Sequence, residues 1–361
     1  MTTIDTIQTL SAIAAARAVA RKFVVLVWDA GGLRLTTDPN DARGTLRPAR
    51  VSALLSTAPP TTSGAWKISA KYLARIFLDI ASTFVDVSDD VGQFSIRVGT
   101  LDMVLDARPG SLKHIAEPGT LPDVDCVTLD PASGFKAIAM VARATTDTDS
   151  VYRRDDLEYV CVGRRNGGSV ALATNGSRLT MMPLPHASGL GDDFIGIPSH
   201  VVRVLATLPT GACGLAQLRQ QKDRTTLTFG GITWEWETVS VLPTLEAVLK
   251  LADNEPASSF EVTAEFAYAV RAIAAVCGQA ASMVTIVVGP GGSVEPRTKE
   301  TVIDKSSVVL DALKLREALY EVDGERVELH GQMSPVVVRG RRGVALVMPC
   351  RPETATTWTE T

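Results

Sequence analysis

The chain has 361 residues, room for two or three domains, and is 45% hydrophobic but only 5% aromatic, so its cores are expected to be aliphatic. A formal net charge of −4 argues against a surface that grips nucleic acid through bulk positive charge; any DNA contact must be local or topological. The five cysteines (Cys126, Cys161, Cys213, Cys277, Cys350) are scattered and form no C-x-x-C, which argues against a disulfide framework or a zinc site and for reduced thiols in a cytoplasmic setting.

One unit recurs along the chain: a strand, an amphipathic helix, then two or three strands. The first pass predicts a helix over 6–22 and strands at 23–29, 33–37 and 44–51. The second predicts a strand at 65–69, a helix over 71–82 and strands at 83–87, 93–98 and 101–107. Residues 108–123 hold Pro109-Gly110, Pro118-Gly119 and Pro122 and read as a linker. The third pass runs through 125–129, a helix over 132–144, and strands at 157–163, 169–174 and 178–182. The fourth has 193–197, a helix over 199–208, and strands at 214–218, 225–229 and 233–241. Proline-flanked residues 243–258 read as a second linker.

The fifth pass is short: 260–263, a helix over 265–279, a strand at 283–288 and the turn Gly289-Pro290-Gly291-Gly292. The sixth has 302–304, a helix over 307–320, and strands at 326–330, 335–338 and 344–348. Ser199 and Ser307 stand where hydroxyl N-caps are expected. Paired passes predict an α+β protein of three similar domains, at 1–115, 122–248 and 256–351, with a disordered Thr- and Glu-rich tail at 352–361. No secretory leader or membrane span is expected, because no apolar run reaches the roughly 18 residues a spanning helix needs.

No catalytic motif emerges. The Gly289–Gly292 turn lacks the Lys-Ser/Thr of a phosphate loop, and neither G-x-S-x-G nor H-E-x-x-H occurs. His114, His186, His200 and His330 lack ligand spacing. The carboxylates of Asp147, Asp149, Asp192 and Asp193 leave one enzymatic reading, a hydrolase using a loop acid.

Two segments carry most information. Mid-chain lies Ala173-Thr174-Asn175-Gly176-Ser177-Arg178-Leu179, followed by Pro183-Leu184-Pro185. At the end, Ser334-Pro335-Val336-Val337-Val338-Arg339 turns into Val344-Ala345-Leu346-Val347-Met348-Pro349-Cys350-Arg351. Together they resemble the two halves of the peptide-docking pocket in the bacterial DNA polymerase III beta subunit, or sliding clamp, family. A third likeness is Leu242-Pro243-Thr244-Leu245-Glu246-Ala247-Val248-Leu249.

The resemblance implies six β-α-β-β(-β) units in three clamp domains, with helices lining a ring and sheets outside. It implies a non-catalytic processivity factor for DNA replication without cofactor or metal, cytoplasmic, homodimeric and off the membrane. Such a protein encircles duplex DNA and tethers polymerase and clamp-loader peptides. The implied peptide pocket is Leu157, Thr174, Gly176, Arg178, Leu179, Pro243, Val248, Ser334, Leu346, Met348, Pro349 and Arg351. Its apolar members suit a leucine or aromatic anchor, each worth roughly 1.5–3 kcal/mol when buried.

The implied DNA contacts are the helix-borne Arg17, Arg21, Lys71, Arg75, Lys136, Arg143 and Arg203, with the loop residues Arg153 and Arg154. Arg271, Lys314 and Arg316 extend the recurrence of bases to the last two helices. The sequence departs from the family at Asn175 and Ser177, where Asp and His are common, and in the short fifth pass, which would normally supply the strand for dimer closure. A clamp-like adaptor that keeps the peptide pocket without a stable ring is the alternative reading.

Overall fold

The computed structural model describes residues 2–19, 22–37, 50–60, 63–79, 84–90, 93–98, 101–104, 108–109, 126–145, 155–208, 214–221, 223–239, 249–250, 253–277, 285–297, 301, 303 and 305–350. Among the described residues, the six α-helices whose bounds are given below alternate with strands in the order the sequence predicts. In the first pass, β1 (Thr2–Asp5) leads into α1 (Thr6–Val19), then β2 (Phe23–Asp29), β3 (Gly32–Thr37) and β4 (Arg50–Ser56). The second pass is β5 (Gly64–Ser69), α2 (Ala70–Asp79), β6 (Phe84–Asp90), β7 (Gln93–Val98) and β8 (Leu101–Val104), followed by the two-residue β9 (Arg108–Pro109). The third is β10 (Cys126–Leu129), α3 (Pro131–Val141) with a 3-10 turn at Ala142–Ala144, a second such turn at Asp155–Glu158, then β11 (Tyr159–Arg165), β12 (Gly168–Thr174) and β13 (Arg178–Pro183).

The fourth pass is β14 (Ile195–Pro198), α4 (Ser199–Leu205), β15 (Ala216–Gln220), β16 (Arg224–Phe229) and β17 (Ile232–Glu237). The fifth is β18 (Ser258–Glu261), α5 (Ala264–Cys277), β19 (Thr285–Val288) and β20 (Val294–Pro296). The sixth is β21 (Val308–Asp311), α6 (Ala312–Val322), β22 (Gly324–Leu329), β23 (Val336–Gly340) and β24 (Gly343–Val347).

These elements form two compact units. The first comprises Met1–Lys136, Pro185–Leu190 and Ile197–Val239; the second comprises Ala137–Leu184, Gly191–Gly196 and Ser240–Thr361. The first predicted linker lies mainly outside the described residues; of the second, residues 249–250 and 253–258 are described, and Ser258 already belongs to β18.

In the first unit, a nine-stranded sheet runs β10-β15-β16-β17-β4-β3-β2-β5-β9, beside a four-stranded sheet β1-β6-β7-β8. The central strand β2 reads Phe-Val-Val-Leu-Val-Trp-Asp, and its middle five residues are all buried. Such a continuous apolar, Val-rich run suits a strand covered on both faces. Small residues Ala12, Ala15 and Ala16 are buried on α1, and Leu73, Ala74 and Phe77 are buried on α2. Lys71, Tyr72, Arg75 and Leu78 stay exposed, so α2 divides into faces at the helical period. Asp5 opens α1 by accepting from the Gln8 amide at 2.6 Å.

In the second unit, an eight-stranded sheet runs β14-β11-β12-β13-β24-β23-β22-β18, and a three-stranded sheet runs β20-β19-β21. Aliphatic side chains from α5, α6 and both sheets form one core: Val270, Ile286, Leu310, Leu315, Val327 and Val338 are among its fully buried members.

Several sequence expectations are corrected. β4 runs on to Ser56, past the end of the strand predicted at 44–51, with Val51, Ala53 and Leu55 as its buried alternation; residues 44–49 of that prediction lie outside the described residues. α6 starts after Asp311, not at Ser307. Val308, Val309 and Leu310 are buried strand residues paired with β19, and Asp311 caps the helix by accepting from the amides of Leu313 (2.8 Å) and Lys314 (3.3 Å). Ser199 is no cap either: the N-cap of α4 is Pro198, without a side-chain cap bond, and Ser199 is buried in the first turn. β20 adds a strand missing from the predicted fifth pass; Gly291 (φ 76°) and Gly292 (φ 85°) supply the left-handed turn that folds it back onto β19. Of the predicted strand at 302–304, residues 302 and 304 lie outside the described ones.

His200 on α4 is half-buried, with Nε2 shut off from water and without a hydrogen-bond partner among the described residues. Burial, aided by the charge of Arg203, lowers its pKa to about 4. The folded state therefore favours the neutral ring, giving stability that is present above the ordinary value of 6.5 and lost as pH falls towards 4. Thermal unfolding compared at pH 7 and pH 4.5 should show His200→Gln losing roughly 2 kcal/mol less than the parent over this interval, and an identical loss in both would contradict it.

Candidate functional site

The two informative segments meet at one end of the eight-stranded sheet. β13 pairs with β24, placing Arg178 opposite Val347 and Leu179 opposite Leu346. β23 pairs with β24 on the other side, with Val337 opposite Leu346. The β12–β13 turn, the end of β24 and the start of β23 therefore lie side by side. The pairing Cys161–Leu172 between β11 and β12 brings the 3-10 turn that holds Leu157 to the same end.

The β12–β13 turn is held by its own polar side chains. Asn175 Oδ1 accepts from the amides of Ser177 (3.1 Å) and Arg178 (2.9 Å) and from the Ser177 hydroxyl (2.9 Å). Thr174 Oγ1 donates to the Arg178 carbonyl at 2.7 Å and accepts from the Gly176 amide at 3.1 Å. Gly176 has φ 85°, which disfavours any residue with a Cβ, and a Cβ there would stand 3.7 Å from Leu157 Cδ1. The Met348 amide donates to the Ser177 carbonyl at 2.9 Å, fastening the end of β24 to this turn. Cys350 is fastened next, its amide donating to Val309 O at 2.8 Å.

Strand alternation sorts the side chains. Arg178 and Thr180 point to the helix-covered face, where Arg178 forms ion pairs with Glu317 (2.7 Å) and Glu321 (3.2 Å) on α6. Its Nη2 also donates to the Arg143 carbonyl at 2.8 Å, and Thr180 Oγ1 donates to Glu321 at 2.7 Å. Arg178 is only 2% exposed. The expectation that it lines the pocket is thus corrected: it braces β13 against α6. Burial pushes the Glu321 carboxyl above its ordinary value, against the opposing pull of Arg178 and Thr180.

Leu179, Leu346 and Val337 share the opposite face and are buried, as is Leu157. Thr174, Ser334, Met348 and Pro349 are half-buried, while Gly176 and Ser177 are exposed. The structure thus gathers eight of the predicted residues (Leu157, Thr174, Gly176, Leu179, Ser334, Leu346, Met348 and Pro349) at one sheet end. Pro243, Val248 and Arg351 lie outside the described residues. Met333 escaped the sequence reading: 59% exposed, it sits on the turn between β22 and β23 that also bears Ser334. An exposed methionine at the same sheet end as the half-buried Met348 supplies adaptable apolar surface there. Its only sequence signal was position, one residue before Ser334.

The predicted DNA-contact residues fall on helix surfaces. Arg17, Lys71, Arg75 and Arg203 are exposed in the first unit, as is Lys136 on α3. Arg143 is exposed in the second unit, with Arg271 on α5; Lys314 and Arg316 on α6 are half-buried. Arg21, Arg153 and Arg154 lie outside the described residues. Among the described residues, no three His, Cys, Asp or Glu side chains are grouped to hold a metal ion, and no helix is long and apolar enough to cross a membrane.

No protein-family model matches the chain, and no curated protein matches it. Solved structures do. The DNA polymerase sliding clamp from Bacillus subtilis aligns with a TM-score of 0.73 at 14% identity, over 97% of this chain and 98% of that one. A putative DNA polymerase III beta subunit from Eubacterium rectale aligns at 0.76 with 10% identity, over 98% and 99%. The Caulobacter crescentus pol III beta aligns at 0.73 with 17% identity, over 97% and 99%. The α+β chain therefore has the sliding-clamp fold along nearly its whole length.

Removing one partner of a buried ion pair strands the other charge. Arg178→Met should destabilise the protein by about 3–5 kcal/mol at neutral pH in denaturant unfolding, and adding Glu321→Leu should recover part of the loss. A neutral effect of Arg178→Met would show that the brace carries no weight.

Proposed function

We propose that this chain is a DNA sliding clamp: a non-catalytic processivity factor that encircles duplex DNA and tethers a replicative polymerase and other partners through a peptide pocket. The observation that carries the reading is a coincidence. A chain with the sliding-clamp fold over 97–98% of its length brings Leu157, Gly176, Leu179, Leu346 and Met348 to one sheet end. An apolar floor with a polar, glycine-bearing turn at its edge suits an extended peptide whose leucine or aromatic side chain is the anchor. Pro243, Val248, Ser334, Pro349 and Arg351 complete the proposed pocket.

The proposed organisation is three domains, at 1–115, 122–248 and 256–351, with helices towards DNA. Arg17, Arg21, Lys71, Arg75, Lys136, Arg143, Arg153, Arg154 and Arg203 would give few, salt-sensitive phosphate contacts, in keeping with a net charge of −4. Closure as a cytoplasmic head-to-tail homodimer would pair the edge of the first domain near 101–107 with the third near 300–304. β8 stands at the end of its sheet, available for such pairing, and β20 is a further edge on the third domain. The adaptor reading differs in one respect, the lack of a stable ring. Sedimentation at micromolar concentration separates the two: twice the chain mass is expected for the clamp, the chain mass for the adaptor.

The pocket is tested with a fluorescent peptide of Gln-x-x-Leu-Phe pattern. Met348→Asp should weaken its binding at least about tenfold by forcing a carboxylate against the apolar anchor. Equal affinities for parent and variant would remove the pocket from the proposal.

A further inference from the structure

We infer that Pro296 caps the outer edge of β20 against strand addition, so that a second copy of this chain cannot build there the backbone ladder that makes the two joints within the chain; this rests on the head-to-tail closure proposed above. Both internal joints follow one plan. The third strand after a helix pairs with the last strand of a later pass. β4 pairs with β17 over four residue pairs, from Ile232–Ala53 to Glu235–Arg50. β13 pairs with β24 over four more, from Arg178–Val347 to Met181–Val344. Repetition of the plan calls for a third joint, between a third strand of the fifth pass and β8, the last strand of the second. Among the described residues the fifth pass has only β19 and β20, and β20 is the edge of its sheet.

Ladder parity shows what that edge offers. The Gly289 amide donates to the Ser293 carbonyl at 2.9 Å, and the Arg297 amide donates to the Thr285 carbonyl at 3.0 Å. Between them Val288 stands opposite Val294, Val287 opposite Glu295 and Ile286 opposite Pro296. The backbone groups of Ser293, Glu295 and Arg297 are therefore turned to β19, and those of Val294 and Pro296 to the free side. Pro296 has no amide proton, and its ring occupies the direction in which one would point. Its carbonyl is approached by the Thr301 hydroxyl, which donates at 3.5 Å. Of the three residues of β20, only Val294 presents both an N–H and a C=O to the free side.

A ladder needs a donor and an acceptor at every second residue, so one added here stops after Val294. Proline in an outward position is a recognised way of blunting an edge strand. The exposed Glu295 between the two outward residues adds a charge to the same strand. Val294 and Pro296 share the face of Val288 and Ile286, which are buried in the core. A valine in place of Pro296 thus keeps an apolar side chain towards the core and restores the outward amide.

The test is sedimentation of the full chain over a dilution series, after circular dichroism shows that each variant folds. Pro296→Val should lower the dimer dissociation constant at least about tenfold. Adding Val294→Pro, which removes the other outward amide, should cancel that gain. If the parent is dimeric and Pro296→Val associates no more tightly, the cap is overturned and the clamp reading stands. If the parent is monomeric and Pro296→Val dimeric, the cap holds and the parent is the adaptor. If both are monomeric, the cap and the ring are overturned together. Species larger than a dimer in Pro296→Val would overturn the assignment of this edge to the joint.

Discussion

The arrangement around the candidate pocket depends on one buried cation. Arg178 lies between Glu317 and Glu321, shut from water on the helix-covered face of its sheet. A guanidinium in that position is tolerated only when paired, so β13 cannot turn over or slide by one residue without stranding charge in a low-dielectric interior. A strand has two faces, and fixing one fixes the other. With Arg178 and Thr180 held on the helix-covered face, Leu179 must lie on the opposite one, where it meets Leu346 across the β13–β24 ladder and is likewise buried. The same ladder delivers Met348 to the Ser177 carbonyl. Register, apolar floor and rim thus follow from a charge network that touches none of the proposed peptide.

That network also shapes the electrostatics of α6. Its two acids, Glu317 and Glu321, both pair with Arg178, and the neighbouring Arg143 also acts on Glu321. What counts near a phosphate is the local arrangement of charge within about a Debye length, not the net charge.

Much of this was legible in the sequence, for physical reasons. Helix periodicity placed α2 and α5 to within a few residues, because their apolar and charged positions separate cleanly around the helix. The resemblance carried by Asn175-Gly176-Ser177 and by the run into Met348-Pro349 pointed to two segments that the sheet brings together through the β13–β24 ladder. Three things were not legible. Alternation along β13 says that Arg178 and Leu179 face opposite ways but not which face the helix covers, so Arg178 was read as pocket wall. The run Ser307–Leu310 is apolar in a way that fits either a strand or a helix, and only its pairing with β19 decides. Adjacent Leu54 and Leu55 blur the alternation of Val51, Ala53 and Leu55 that carries β4 on to Ser56, so the predicted strand stopped at 51.

The central claim is topological: the protein holds DNA by surrounding it, not by adhering to it. It is tested most directly by loading the protein with a clamp loader onto nicked circular plasmid, isolating the complex by gel filtration, and cutting the plasmid once. The account predicts that protein stays with the circle at moderate salt and leaves when the circle becomes linear. Equal retention on circular and linear DNA, or release from both, would contradict it.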